Sequence, residues 1–397
     1  MDIQSPSVPL HSAWLRLGFR PFFLAAGGFA VVVMVLWFAS FTLDVSFPFA
    51  GLVPMSWHGH EMIYGYGMAV IAGFLLTAVR NWTGIQTLRG TPLLLLFLFW
   101  LTARLALLLG NSHWLPLAAS FDLLFLALLS TAVAVPILRA HHWHSLAIVA
   151  KLLLLLGANL VFYLGAAGRI ESGIYWGLYS GLYLIIALIF TMARRVLPFF
   201  IERGVGYPVE LYNNKWIDIS SLVLLAVFWI ADMVRPNGLL VTLLALALFV
   251  LHLRRLVGWY TPGIWSKPLL WVLYLAYAAI VVAFGLKALV YFAGISSYFA
   301  LHAFAVGGIG MMTLGMMARV ALGHSGRNVF EPPPQLFWIF SILFLSFVLR
   351  VFAPMLFVEA YRLWIGLSQA LWTAAFAAFF FMYFPILSQP RIDGQDG

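Results

Sequence analysis

The sequence predicts an all-α membrane protein with about twelve transmembrane helices, on three grounds. Hydrophobic residues make up 64% of the 397 residues and charged residues only 9%, with a mean hydropathy of +1.00. Soluble domains are closer to half apolar and a quarter charged. The apolar runs are unbroken over bilayer-spanning lengths, whereas the strands of membrane barrels alternate between apolar and polar residues. No linker is long enough for a soluble domain, so residues 1-397 are predicted to form a single polytopic membrane domain.

The apolar runs define the individual spans. The longest connection, residues 195-215, is predicted to be a charged loop. Several runs contain Pro or Gly, which membrane helices tolerate when neighbouring helices satisfy the freed backbone groups. The predicted spans are near 20-42, 59-80, 92-110, 115-138, 145-167, 173-194, 216-234, 238-255, 268-292, 297-320, 334-353 and 360-386.

The distribution of Lys and Arg predicts the orientation in the membrane. Fifteen basic residues fall on one side of the predicted spans, and only Arg169, Arg235 and Arg362 fall on the other. Cytoplasmic loops carry the excess of basic residues, so both termini are predicted to be cytoplasmic. Topology then accounts for the net charge of +9 without a nucleic-acid partner. The first twenty residues lack the pattern of a signal peptide and are predicted to be a retained cytoplasmic arm.

The most unusual short stretch is SWHGHEM, residues 56-62, at the outer end of the second span. His58 and His60 are two residues apart, so on a helix they point about 200° away from each other. One of them is expected to face the interior of the bundle, and the other a second site or the outer aqueous phase. The chain has no cysteine, so any metal must be held by His, Met, Asp, Glu or main-chain oxygen.

A second histidine occupies a comparable place at the start of the tenth span. An offset of 242 residues pairs His60 with His302 and also aligns three glycine pairs: 65 with 307, 73 with 315, and 84 with 326. Met-Ala-Arg occurs at the inner end of the sixth span, at 192-194, and again at 317-319 in the tenth. These repeated residues predict that spans 2, 6 and 10 each begin a four-helix unit.

This arrangement suits a planar cofactor. Two helices that enter from the same face could place His60 and His302 on opposite faces of one haem. Arg104 and Arg350 lie at a similar depth and are candidates to pair with haem propionates. In a second interpretation the two histidines make only an interhelical hydrogen bond, the glycines are packing seams, and Arg104 pairs with Asp122 of the fourth span.

Other candidate ligands have simpler explanations. His252, inside the eighth span, is more typical of a buried hydrogen-bonding group than of a metal ligand. The methionines at 311, 312, 316 and 317 would suit copper, but methionine also fills irregular gaps in cores.

Five short strings of the chain are distinctive together: GFRPFFL at 18-24, WHGHEM at 57-62, AGFLLTAVRNWTG at 72-84, RRVLPFF at 194-200 and MMARVALGHSGR at 316-327. They resemble the NnrS family. The resemblance implies a twelve-span bacterial inner-membrane protein that contains haem and copper and is linked to nitric oxide metabolism and protection from nitrosative stress. Without cysteines, the haem would be non-covalent, of b type.

The resemblance also suggests an analogy with the haem-copper oxidases. Their catalytic subunit has twelve helices in three four-helix arcs, with haem-ligating histidines on the second and tenth helices. Spans 6 and 7 of this chain contain no histidine, so the oxidase copper centre has no counterpart. Copper would need His58, His252 or Met ligands.

The reaction stays open at this point. A nitric oxide reductase-like oxidoreductase would need electrons from a donor such as a quinol or a cytochrome, and protons from a carboxylate. Glu61, next to His60, is the nearest candidate for proton delivery, although it is equally suited to capping the start of its helix. A protein that only binds nitric oxide is the other form of this hypothesis. The alternatives are a transporter of a metal or small metabolite, and a scaffold of a denitrification complex.

Overall fold

The computed structural model of the chain describes residues 10–395, so the first nine residues of the predicted arm lie outside them. Within this range every regular element is a helix, and twelve helices are long and apolar enough to cross a membrane. The chain is therefore a multi-pass membrane protein, and the predicted fold class is confirmed. In chain order the helices α1 to α12 are Phe19–Thr42, Pro54–Thr83, Thr91–Leu109, Ser112–Arg139, Trp143–Ala166, Gly173–Gly204, Lys215–Val234, Leu239–Gly258, Pro268–Ala293, Ser297–His324, Gln335–Leu356 and Val358–Ser388.

The largest departure from the predicted spans is at the end of α6. The prediction of a charged loop from residue 195 was wrong for its first half, because the helix continues through Pro198 to Gly204. Leu197 and Ile201 remain buried, so the apolar face of the helix runs on past the basic residues. Arg194 is held by an ion pair with Asp218 of α7, with 3.0 Å between Nη1 and Oδ2. The basic residues at 194 and 195 therefore do not mark the end of the helix.

The helices form three groups around a common centre. Helices α2, α6 and α10 contact one another there. Between α2 and α6 lie α3 to α5, between α6 and α10 lie α7 to α9, and α11, α12 and α1 close the ring between α10 and α2. This agrees with three four-helix units headed by spans 2, 6 and 10. The further likeness to the oxidase arrangement stays a prediction.

Helices α2 and α10 share an internal interruption. A π-helical segment, Glu61–Gly67, follows His60, and another, Ala303–Gly310, follows His302. The 242-residue offset maps the start of one segment onto the start of the other. The repeat between α2 and α10 therefore includes backbone geometry as well as residue types. π-Helical turns inside α-helices are frequent at functional sites.

The glycines of the repeat serve close helix packing. A Cβ at Gly73 would lie 2.7 Å from the Phe23 ring of α1, and one at Gly315 would lie 2.8 Å from Leu273 of α9. Both glycines let neighbouring helices approach closely. They fit the interpretation of these glycines as packing seams.

Candidate functional site

A cavity of about 520 Å³ lies among α1, α2, α6, α10 and the ends of α11 and α12. This volume is within the range of small-molecule sites. A smaller cavity deeper in the bundle shares seven of its lining residues, so the two form one continuous site. The shared residues are Trp37, His58, Gly59, Ile63, Leu301, His302 and Arg350. We call this site the histidine cavity.

His58 is held by an aromatic stack. Its ring lies parallel to Trp37 of α1, with 4.6 Å between centroids and 9° between planes. The Nδ1 atom is buried and has no hydrogen-bond partner in the described part of the chain. The imidazole is therefore fixed in direction and keeps a nitrogen uncommitted.

His302 has a defined tautomer. Its Nδ1 atom is 2.8 Å from the carbonyl oxygen of Tyr298, one turn earlier in α10. Because a carbonyl only accepts, Nδ1 carries the proton and Nε2 carries the lone pair. Arg350 of α11 donates to Nε2 over 2.9 Å. This is the tautomer that a histidine needs to ligate a metal through Nε2.

Arg350 lacks an anionic partner. No Asp or Glu between residues 10 and 395 pairs with its guanidinium. Its Nη1 atom is buried without a hydrogen-bond acceptor. A partly buried guanidinium without a counter-ion is unfavourable, so the site is suited to an anionic group.

His60 lies in a different environment, fully buried among α2, α4 and α5. Its Nδ1 atom is 2.9 Å from Glu61 Oε1, and its Nε2 atom is 2.9 Å from Asn159 Oδ1. The Asn159 amide is oriented by its own donation to Asp122 Oδ2 over 2.8 Å. Both ring nitrogens of His60 therefore face acceptor oxygens. The ring can donate a hydrogen bond to each of them when both nitrogens carry a proton.

Arg104 completes this group. Its Nη1 atom donates to Glu61 Oε1 over 2.7 Å, and its Nη2 atom lies against Asp122 Oδ1 as an ion pair without hydrogen-bond alignment. Two carboxylates then face one guanidinium and one imidazolium, so the formal charges of the group balance. We call His60, Glu61, Arg104, Asp122 and Asn159 the buried ionic cluster.

The structure separates residues that the sequence grouped together. His302 and Arg350 share the histidine cavity with His58, whereas His60 and Arg104 belong to the buried ionic cluster. The predicted facing pair of His60 and His302 is thus not the arrangement observed. Because His58 and His60 point about 200° apart, fixing His60 in the cluster turns His58 toward α10.

The second interpretation of Arg104 is the one that the structure shows, since it pairs with Asp122. Glu61 is bound to Arg104 and does not line the histidine cavity. His252 is buried, and its Nδ1 atom lies 2.6 Å from the Tyr277 hydroxyl, as the sequence favoured.

Metal sites built from three acidic or histidine side chains are not found within residues 10–395. The ligand roles of His60, His302, His58 and His252 therefore stay predictions.

Sequence reasoning missed three contributors. Trp37 and Tyr298 orient the cavity histidines, but nothing distinguishes them from the other aromatic residues of the chain. Asn159 did carry a signal, because it is a lone amide in the apolar run LLLLLGANLVF. A polar side chain inside a membrane helix points to a hydrogen-bonded partner.

The fold and the site together define a class: a polytopic helical membrane protein that encloses a cavity lined by histidine and arginine. A family model described as NnrS protein matches residues 13–391 of the chain. The chain belongs to the NnrS protein family, which confirms the resemblance drawn from its five strings. None of the curated proteins compared with the chain matches it.

Proposed function

We propose that this protein binds haem in the histidine cavity and there binds or reduces nitric oxide, protecting the cell from nitrosative stress. Membership of the NnrS family supports a function linked to nitric oxide. The observation that carries the proposal is the cavity itself, where His58, His302 and Arg350 meet. Two imidazoles, and a guanidinium that has no carboxylate partner among residues 10–395, are side chains that could hold the iron and a propionate of a non-covalent haem.

The donor set of the cavity fits the cofactor. His302 has its lone pair on Nε2, and its Nδ1 proton is already bonded to a carbonyl, which fixes the ring. His58 has an uncommitted nitrogen and a ring plane set by Trp37. The pair comes from α2 and α10, the two helices that the sequence predicted, with His58 in place of His60.

Haem would supply an iron that can bind nitric oxide and exchange an electron with it. His58 and His302 would hold the cofactor from two helices. Arg350, which donates to His302 Nε2, would instead pair with a propionate. The aromatic residues around the cavity, such as Tyr175, Tyr179 and Tyr361, would limit access of water.

Copper, a bacterial inner-membrane location and cytoplasmic termini remain part of the proposal. Reporter fusions after Gly397 and near Arg203 test the orientation. A cytoplasm-only reporter should be active at both points, and activity of a periplasm-only reporter at either point would contradict it.

Optical spectroscopy of purified protein tests the cofactor. We expect a Soret band in the wild type and its loss or conversion to a high-spin form in both His58→Ala and His302→Ala. His144→Ala is the matched control, because His144 is exposed near the opposite face and should not change the spectrum. Absence of any Soret band would favour a transporter or a scaffold. Loss of haem in His60→Ala with retention in His58→Ala would support the pair predicted from sequence.

Nitric oxide consumption by the reduced protein under anaerobic conditions tests the activity. Steady consumption with an electron donor such as a quinol or a cytochrome would establish a reductase. Stoichiometric binding without turnover would establish a binding protein. No spectral response of a haem-containing sample to nitric oxide would contradict both forms of the proposal.

A further inference from the structure

Arg319, near the inner end of α10, is a buried cation without a counter-ion. The residue is 8% exposed, and its guanidinium lies over the Phe200 ring of α6, 3.8 Å from the centroid. Among the described residues 10–395, no carboxylate pairs with it and no acceptor takes a hydrogen bond from it. A cation–π contact alone does not replace the hydration of a guanidinium.

The repeat supplies an internal comparison for this arginine. Arg194 ends the Met-Ala-Arg string of α6, as Arg319 ends that of α10. Arg194 has an anion within the protein, because Asp218 Oδ2 lies 3.0 Å from its Nη1 atom. Arg319 has no equivalent carboxylate among residues 10–395. An anion from outside the chain could therefore serve as the counter-ion of Arg319.

A pocket beside Arg319 has the properties of an anion site. Its volume is about 10 Å³, which is enough for one oxygen-sized group. Lys267 lies on its wall, and α9 begins there at Pro268 without a side-chain cap. Two basic residues and the positive end of a 26-residue helix thus line one small space, and the Lys267 ammonium donates to the Phe330 carbonyl oxygen on the same wall over 3.5 Å. The remaining lining residues are Gly204, Leu269, Leu270, Val329, Phe330 and Pro332.

The position of the pocket favours a lipid over a soluble ion. It lies at the basic face of the bundle, which the charge bias predicts to be cytoplasmic. Phe330 is 50% exposed and Trp265, just before Lys267, is 48% exposed. Exposed aromatic residues are typical of helices at the headgroup level, and basic pockets between helices on this side bind anionic headgroups. We propose that this pocket binds the phosphate group of an anionic phospholipid.

Native mass spectrometry of delipidated protein, titrated with dioleoyl phosphatidylglycerol, tests the proposal. We expect one tightly bound lipid in the wild type, and a dissociation constant about tenfold higher in Arg319→Gln, the scale of one lost charge-assisted hydrogen bond. Arg203→Gln is the matched control, since Arg203 is an exposed residue over the neighbouring Phe199 ring on the same face. The affinity of the Arg203→Gln variant for the lipid should change by less than about twofold, as expected when an exposed charge is removed.

Two further variants keep the test decisive if Arg319→Gln does not fold. Lys267→Gln changes a partly exposed residue and should also weaken binding. Arg319→Lys keeps the charge but loses the planar fork, so an intermediate affinity is expected. Unchanged binding in Lys267→Gln and Arg319→Lys would overturn the proposal. Equal affinity for phosphatidylcholine would overturn the need for an anionic headgroup, and displacement of the lipid by millimolar inorganic phosphate would assign the pocket to a free anion.

Discussion

His58 and His60 are two residues apart on the same helix turn but lie in opposite kinds of environment. On the His60 side, each carboxylate contacts a cation and the formal charges balance. On the His58 side, His58 Nδ1 and Arg350 Nη1 have no hydrogen-bond partner within residues 10–395, and both residues line a cavity. The first arrangement is that of a structural network, and the second is that of a binding site. The comparison shows that, within one motif, balanced charges mark the supporting network, and a guanidinium without a carboxylate beside a cavity marks the site.

The buried ionic cluster also explains why the histidine cavity is well defined. Ionic groups inside a bundle add little net stability, but they fix one helix rotation, because any other rotation leaves charges unpaired. With His60 and Glu61 held by α3, α4 and α5, rotation of α2 is restricted and His58 faces α10. The buried ionic cluster is thus expected to affect the cavity only by fixing the rotation of α2 and the direction of His58.

The largest effect is expected from Arg104→Leu. Removing this guanidinium leaves Glu61 and Asp122 facing each other with only the imidazolium between them. We expect a loss of about 3–5 kcal/mol in the free energy of unfolding, as for a broken buried ion pair. Thermal or denaturant unfolding in detergent measures it, with Arg203→Gln as an exposed control. A loss similar to that of the control would show that the cluster contributes nothing to stability.

A pair of histidine variants separates the two regions. His60→Gln should lower the free energy of unfolding by about 1.5–3 kcal/mol, since it removes a charge-assisted hydrogen bond to Glu61 and weakens the contact with the Asn159 amide. It should leave the haem spectrum largely intact. His58→Gln should do the reverse and alter the spectrum with little loss of stability. Identical behaviour of the two variants in both measurements would contradict the division into site and support.

Two glycines in α2 allow the same comparison without a change of charge. A Cβ at Gly65 would lie 2.6 Å from the Phe29 ring and 3.0 Å from Arg104 Nη1, so Gly65→Ala should destabilise the fold by about 1–3 kcal/mol. A Cβ at Gly59 would meet only the flexible side chain of Leu178, at 3.2 Å. Gly59→Ala should therefore have a clearly smaller effect on the unfolding midpoint. A larger loss of stability in Gly59→Ala than in Gly65→Ala would show that α2 is packed more tightly on the cavity side.

The smallest effect is expected from Trp37→Leu. The stack on His58 is worth about 0.5–1.5 kcal/mol, so haem affinity should fall by about two- to tenfold without loss of the cofactor at saturation. Trp37→Phe preserves a stacking surface and should stay close to the wild type. Titration of the apoproteins with haem measures the haem dissociation constants of both variants. Equal affinities for the two variants would show that the stack does not orient His58.

The membrane fold was predictable because its signals are local. Apolar length fixes a span regardless of its neighbours, and most of the predicted ends agree with the helices within a few residues. The end of α6 was missed because it depends on contacts with other segments, such as the ion pair between Arg194 and Asp218. The repeat of α2 and α10 was also visible in sequence, although its shared π-helical segments were not.

The amino-acid sequence alone predicts a twelve-helix membrane protein, its family and the importance of two histidine-bearing helices. It also offers His58, His302 and Arg350 among the candidates. Which histidine faces which region depends on contacts between distant segments. His58 and His60 are equivalent in residue type and in local helix propensity. Their side chains point apart on any helix, but the region that each one faces is set by Asn159, Asp122 and Arg104, far away in sequence, which supply acceptors and charge on the His60 side. Pairing of buried charges is a long-range condition, and no local pattern encodes it.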